Sequence, residues 1–439
     1  RRGWPLEQLL TQPAPGSDDP SQTLVWRTTL LTSEIPLDEL PPDPADEPHE
    51  EAPSILEPVD DQAIAVGLGL EALIRSNPEP LPTAALQIQE QLAHADAWRE
   101  SGTTPERLTW INEQAAGYYS EQFADSWAQP YLAGRLGADL AATAIQPGYA
   151  PAGWTSLVTH LHRQRVTDDE LVMTGLARRA STGRLIDLFR DRLVLPITHN
   201  GVIIGFTGRA NPDLPREQSG PKYVNTPTTL LFHKGDQLYQ PLPPTSPEAV
   251  PVLTEGPLDA IAVTLATGGR FTGYAPLGTA LTETQAERLS QVSHAPIVCT
   301  DNDTAGRAAA ARDYWLLALH HADALEANLP DRTDPADLLA NGESALLSAA
   351  LQDAQPLADS VIQQRLATGR GPAGILGAIQ VLAARPPETW TPGLEGLAQH
   401  SGLPVELLQQ ALYQHVQAWN ADPRRTAQVG ASWRPSDQR

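Results

Sequence analysis

Cysteine is nearly missing from this sequence: Cys299 is the only one in 439 residues. An intrachain disulfide is therefore impossible, and a cysteine-rich structural zinc site of the usual spacing is excluded, so no zinc is expected in this chain. Lysine is almost as scarce. Lys222 and Lys234 are the only two, every other basic side chain being arginine. No apolar run approaches the roughly 18 residues that a membrane-spanning helix requires, and no charged-then-apolar amino terminus reads as a secretion signal. The expectation is a cytoplasmic protein with no membrane partner. The chain opens on Arg1 rather than methionine and on no recognisable element, so a piece of a longer polypeptide is expected.

What is present allows two or three domains, since 41% of the residues are hydrophobic and can supply buried cores. A formal net charge of −23 argues at first sight against nucleic acid, because phosphate binding needs a concentrated positive field. The acid is not spread evenly. Residues 34–61 hold many Asp and Glu, several prolines and no Lys or Arg, the composition of a solvated linker. Residues 110–240 are roughly balanced, with Arg178, Arg179, Arg184, Arg190 and Arg192 close together.

Periodicity divides the chain into five stretches. Residues 1–108 read as an acidic, proline-rich linker with weak helices, one at 86–100. Residues 109–249 begin as helix from Trp110 to Tyr131, followed by short helices at 157–162 and 168–176. Apolar runs at 192–197 and 201–206 flank His199-Asn200-Gly201, which predicts a β-hairpin. Residues 250–343 alternate strand and helix in the manner of a parallel sheet: strands at 250–254, 273–275, 296–300 and 324–329, helices at 257–267, 282–291 and 305–320. Residues 344–421 are alanine- and leucine-rich helix, and 422–439 read as a disordered tail. The fold class expected is α/β, a mainly parallel sheet flanked by helices, preceded by an α+β subdomain and followed by a helical region.

The chemistry gathers at two strand ends. Asp301-Asn302-Asp303 follows the strand at 296–300 directly, and two carboxylates one residue apart on an extended chain point to the same side. Glu255 holds the equivalent place after the strand at 250–254. Positions just past the carboxyl ends of strands are where ligands bind in open α/β sheets. Carboxylate oxygens without nearby His or Cys suit Mg²⁺, with Mn²⁺ as a substitute, and Asp331, Asp334 and Asp337 could supply a further ligand. The same Asp-x-Asp-to-Gly pattern is also that of a turn or a helix cap.

Thr254-Glu255-Gly256-Pro257-Leu258-Asp259 and Thr300-Asp301-Asn302-Asp303-Thr304-Ala305-Gly306-Arg307 resemble the two signatures of the Toprim domain, with Leu277-Gly278-Thr279 as the turn between them. Residues 189–196 (FRDRLVLP), 205–209 (GFTGR), 221–226 (PKYVNT) and 232–239 (FHKGDQLY) are similar, in order, to the amino-terminal half of the bacterial replicative primase catalytic core. Both lysines fall inside these motifs, where a compact ammonium and a planar guanidinium are not interchangeable.

The resemblance implies RNA primer synthesis from ribonucleoside triphosphates on single-stranded DNA. Glu255, Asp301 and Asp303 would be catalytic. With Asp259 and Asp334 they would hold Mg²⁺, and Arg209, Lys222, Asn225 and Lys234 would hold template phosphate or nucleotide. A replicative helicase or other domains of a longer protein would be further partners. The family's zinc-binding module is absent here. A topoisomerase would need a nucleophilic tyrosine that no motif nominates, and the two lysine motifs disfavour a Toprim nuclease. The stronger alternative is a primase-derived, non-catalytic DNA-binding or docking module of a plasmid mobilisation or replication protein.

Overall fold

The structure, a computed structural model, describes residues 103–434 except 139, 141–143, 279 and 370. The acidic stretch at 34–61, the helix expected at 86–100 and Thr279 lie outside the described residues. The architecture is mixed α/β with a helical carboxyl-terminal region, as the periodicity implied. Two compact units share it. One is formed by the described residues of Glu57–Thr279 and Thr333–Ala349, the other by those of Ala280–Arg332 and Ala350–Arg439, so their boundaries fall inside the 250–343 stretch.

The first unit opens with the helix Pro105–Glu121, capped by Thr104, whose hydroxyl accepts from the Arg107 amide. Its inner face, Leu108, Ile111, Ala115 and Tyr119, is buried. Gly148 lets it lie close to β1 (Gly148–Ala150), since a Cβ there would meet Tyr119 at 2.5 Å. The strands β2 (Ala177–Arg179) and β3 (Leu185–Asp187) form a small antiparallel pair. β4 (Arg192–His199) and β5 (Val202–Ala210) form the expected hairpin: Asn200 and Gly201 both have positive φ, 51° and 77°, as a two-residue turn of the strand-matching hand requires. β6 (Tyr223–Asn225) completes an antiparallel sheet of order β1-β4-β5-β6. The alternating residues of β4 and β5 feed two apolar clusters on opposite faces, one around Leu193, Leu195 and Ile197, the other around Tyr119, Phe189 and Phe206.

The same unit contains β7 (Leu238–Tyr239), β8 (Val250–Thr254) and β9 (Phe271–Pro276), with β8 parallel to β9 and β7 antiparallel to it. The helix Pro257–Ala266 joins β8 to β9 and presses so closely that a Cβ on Gly273 would meet the Ala260 carbonyl at 2.2 Å. The helix Pro335–Ala340 packs on it and on the helix Ala128–Leu136.

In the second unit β10 (Ile297–Cys299) is parallel to β11 (Leu325–Glu326), and β12 (Gln355–Pro356) pairs antiparallel with β11. The helices Glu283–Val292 and Thr304–Leu319 lie before and after β10. Four long helices follow: Leu357–Thr368, Pro372–Ala383, Trp390–Ser401 and Val405–Ala421. The tail expected to be disordered from 422 is corrected here: Pro423–Ala431 is a helix capped by Asp422. Arg365, buried between the rings of Trp315 and Trp433, ties it down by donating to the Gly430 carbonyl at 2.7 Å. No described helix is long and apolar enough to cross a membrane.

Candidate active site

Glu255 stands on the first unit, immediately past β8, and is exposed. The strand end that carries it is pinned by Thr254, a buried hydroxyl that donates to the Tyr274 carbonyl at 3.0 Å. Gly256 then opens the helix Pro257–Ala266, which places Asp259 in its first turn. The Asp259 carboxylate lies close enough to Tyr131, Arg135 and Tyr223 for its charge to act on them.

Arg209 lies among the same groups. Its guanidinium sits over the Tyr131 ring at 5.1 Å and the Tyr223 ring at 5.4 Å, and donates to the Tyr223 hydroxyl at 3.0 Å. Burial pushes both phenols above their ordinary range, against the pull of Arg209, so both stay neutral donors. Lys222 is exposed just before Tyr223, its carbonyl accepting from the Ala210 amide at 2.9 Å. Lys234 is exposed in a loop anchored by Phe232, which is fully buried. Beside it Asp236 bonds His233 at 3.0 Å and raises the imidazole's affinity for a proton.

Two expected site residues are occupied with the protein itself. Asn225 donates its side-chain amide to the Leu277 carbonyl, which ties β6 to the turn after β9. Asp334 accepts from the Asp337 amide at 2.7 Å as the cap of the helix Pro335–Ala340, and its other oxygen is paired with Arg135. Burial works against the Arg135 charge, but Asp334 and Asp337 outweigh it and hold the guanidinium above its ordinary value. Of the arginine cluster, Arg192 is buried and donates to the carbonyls of Gly208, Ser219 and Pro221, a structural role. Arg179 is paired with Asp169 at 2.9 Å.

Asp301 and Asp303 stand on the second unit, past β10. The extended conformation expected there is corrected. The Asp303 amide donates to the Asp301 carbonyl at 2.8 Å, closing a three-residue turn, so strand alternation does not orient the two carboxylates. Asp303 is also a helix cap, its carboxylate accepting from the Gly306 amide at 2.8 Å. Gly306 is required by this turn: a Cβ would stand 2.1 Å from the Asp301 carbonyl oxygen. Asn302 bridges outward, donating to Asp331 at 3.0 Å and accepting from Arg307 at 3.2 Å.

Among the described residues no three His, Cys, Asp or Glu side chains form a metal cage. The donors past β10 nevertheless fit Mg²⁺, which keeps most of its shell for water and phosphate and takes only one or two protein carboxylates. Both are oxygen donors on one short turn, and Asp303 is exposed. Sequence reasoning missed Tyr131, Tyr223 and Arg135. Tyr223 lay inside the PKYVNT segment and could have been nominated, whereas nothing in the sequence linked Arg135 to Asp334.

Residues 118–242 match the family model described as the DNA primase catalytic core, N-terminal domain, and residues 252–339 match the Toprim-like model. A DNA primase of Pseudomonas putida is 35% identical over 246 residues, 54% of this chain and 36% of that one. A crystal structure of a DNA primase domain from Pseudomonas aeruginosa is 30% identical with a TM-score of 0.58, covering 70% of this chain and 99% of that one. The RNA polymerase domain of the Mycobacterium tuberculosis primase, solved with a double-stranded DNA oligomer bearing a 6-nucleotide overhang, is 29% identical with a TM-score of 0.58. It covers 69% of this chain and 99% of that one. The chain spans about a third of the length of the curated relative it matches. With almost the whole of a solved primase domain matched at 30% identity, the chain belongs to the bacterial DNA primase family, as a catalytic core with a Toprim domain.

Proposed function

We propose that this chain is a nucleotidyltransferase that joins ribonucleoside triphosphates into short RNA primers on single-stranded DNA, in the cytoplasm. The observation that carries the reading is the position of its acids: Glu255 directly past β8, and the Asp301-Asn302-Asp303 turn directly past β10. The DNA oligomer in complex with the Mycobacterium tuberculosis relative supports DNA as partner. A replicative helicase, or further domains of a longer protein, would complete the assembly. The domain limits that go with this reading are 109–249, 250–343 and a helical region from 344.

Glu255, Asp301 and Asp303, with Asp259 beside Glu255, would hold Mg²⁺ or Mn²⁺, which when bound neutralises triphosphate charge and assists loss of the proton from the attacking 3′ hydroxyl. The Asp303 cap holds its carboxylate at a set place on the helix end. Arg209, kept planar against Tyr131 and Tyr223, offers donors to a phosphate, and Lys222 and Lys234 add mobile ammonium groups. Asn225 acts by holding Leu277, and Asp334 by fixing Arg135.

The test is incubation with single-stranded DNA, labelled ribonucleotides and Mg²⁺ or Mn²⁺. Oligoribonucleotides are the expected product. Cleaved or relaxed DNA instead would move the protein to the nuclease or topoisomerase members of the Toprim group.

A further inference from the structure

The second unit contains a cavity of about 120 Å³ bordered on one side by Asp301 and Asn302 of the acidic turn. It lies outside the carboxyl ends of the adjacent parallel strands β10 and β11, the position where open α/β sheets take ligands. Its wall on the far side is the helix Leu357–Thr368. Ala310, Ala311 and Ala327 line it with short side chains, so a flat ring can enter without displacing bulk. An apolar cavity of about 150 Å³ holds one benzene ring, so this one, open on a side, is of the size for a single planar heterocycle.

The polar groups narrow the class of ligand. Asn328 and Gln364 line the cavity at exposed positions, and their side-chain amides bond to no protein group among the described residues. Each offers a donor and an acceptor in one plane. A purely apolar guest would strip water from both amides without replacing their bonds. A bare anion would meet the carboxylates of Asp301 and Glu326, and a bare cation would meet Arg307 at the rim. A neutral heterocycle with mixed donor and acceptor edges satisfies all of these.

We infer that this cavity is a nucleobase subsite, with Asn328 and Gln364 as the groups that read the base edge. As a subsite for synthesis it rests on the primase reading above, but base binding itself does not. The base could belong to a free nucleotide or to a strand, and the chemistry of recognition is shared.

The experiment titrates the full chain, without metal or DNA, with adenosine, guanosine, cytidine and uridine in turn, observed by saturation-transfer NMR. A short oligodeoxynucleotide is titrated in parallel. Saturable binding of at least one nucleoside or of the oligodeoxynucleotide is expected, with loss in Ala311→Leu, which fills the cavity. Gln364→Leu, at an exposed position, should reorder the preference among bases. If Ala311→Leu weakens only the mononucleosides, the subsite serves a free nucleotide; if only the oligomer, a base of the strand. In primer synthesis a nucleotide subsite predicts that Gln364→Leu raises KM for at least one ribonucleotide by roughly tenfold, equivalent to about 1.4 kcal/mol, with kcat little changed. No binding by either class, or binding that both substitutions leave unchanged, overturns the inference. Base binding without primer synthesis would instead count against the primase reading and leave the subsite standing.

Discussion

Arg135 and Asp334, 199 residues apart in the chain, are joined by a charge-assisted hydrogen bond within one compact unit. A carboxylate that caps a helix and holds a guanidinium is a structural element before it is anything else. Asp334→Asn keeps the cap, because asparagine is an equally good N-cap residue, but removes the charge that Arg135 needs. The expected loss in urea denaturation is about 1–2 kcal/mol, and Arg135→Met should abolish most of the further effect of Asp334→Asn. Additive losses in the two variants would show that the pair contributes nothing as a pair.

Gly306 and the Asp301 carbonyl are in such close approach that any side chain must open the turn. Gly306→Ala is expected to lower stability by about 2 kcal/mol and to reduce Mn²⁺ binding, read by the ion's water-proton relaxation. An alanine variant with unchanged unfolding and unchanged Mn²⁺ binding would show that the turn is not what positions the two acids.

Much of this arrangement was legible in the sequence, and the failures have physical reasons. β8 was read at its true limits because an apolar run bounded by Pro and Gly is a strong local signal. The hairpin β4–β5 was legible because Asn200-Gly201 meets the positive-φ demand of its turn. β7 and β12 were missed, since two residues cannot display a period of two. The helix Pro423–Ala431 was missed because the buried face of PRRTAQVGA is made of small residues, Ala427 and Gly430; what holds it is tertiary, through Arg365 and the Gly430–Trp315 contact. For the acids past β10, strand alternation was the wrong geometry, because the chain turns at Asp301.

His415 provides a pH prediction. Exclusion of water and then the neighbouring Arg365 charge push its imidazole down to about 4, from an ordinary 6.5. The unfolded chain therefore binds this proton more readily than the folded one between those values. Stability is at its full value above about pH 6.5 and falls as pH drops toward 4, by up to about 3 kcal/mol from this group. His415→Gln should flatten urea midpoints across that window. A slope unaltered by the substitution would assign the acid sensitivity elsewhere.

Lys234→Ala separates phosphate contact from chemistry. If Lys234 meets a template phosphate, its loss weakens single-stranded DNA binding at low salt. The slope of log K against log salt should then become shallower by up to about one unit. Fluorescence anisotropy of a labelled oligonucleotide at several salt concentrations measures this, and an unchanged slope removes Lys234 from the template path.

The central claim is that the Asp301-Asn302-Asp303 turn does the chemistry, and Asp303→Asn tests it most directly. Asparagine preserves both the volume and the helix cap, so the fold and the single-stranded DNA affinity should remain near those of the unaltered chain. Primer synthesis under Mg²⁺ should fall by at least about a hundredfold, because a charge needed to hold the cation is gone. Full synthesis by Asp303→Asn, beside an active unaltered chain in the same assay, would contradict the assignment.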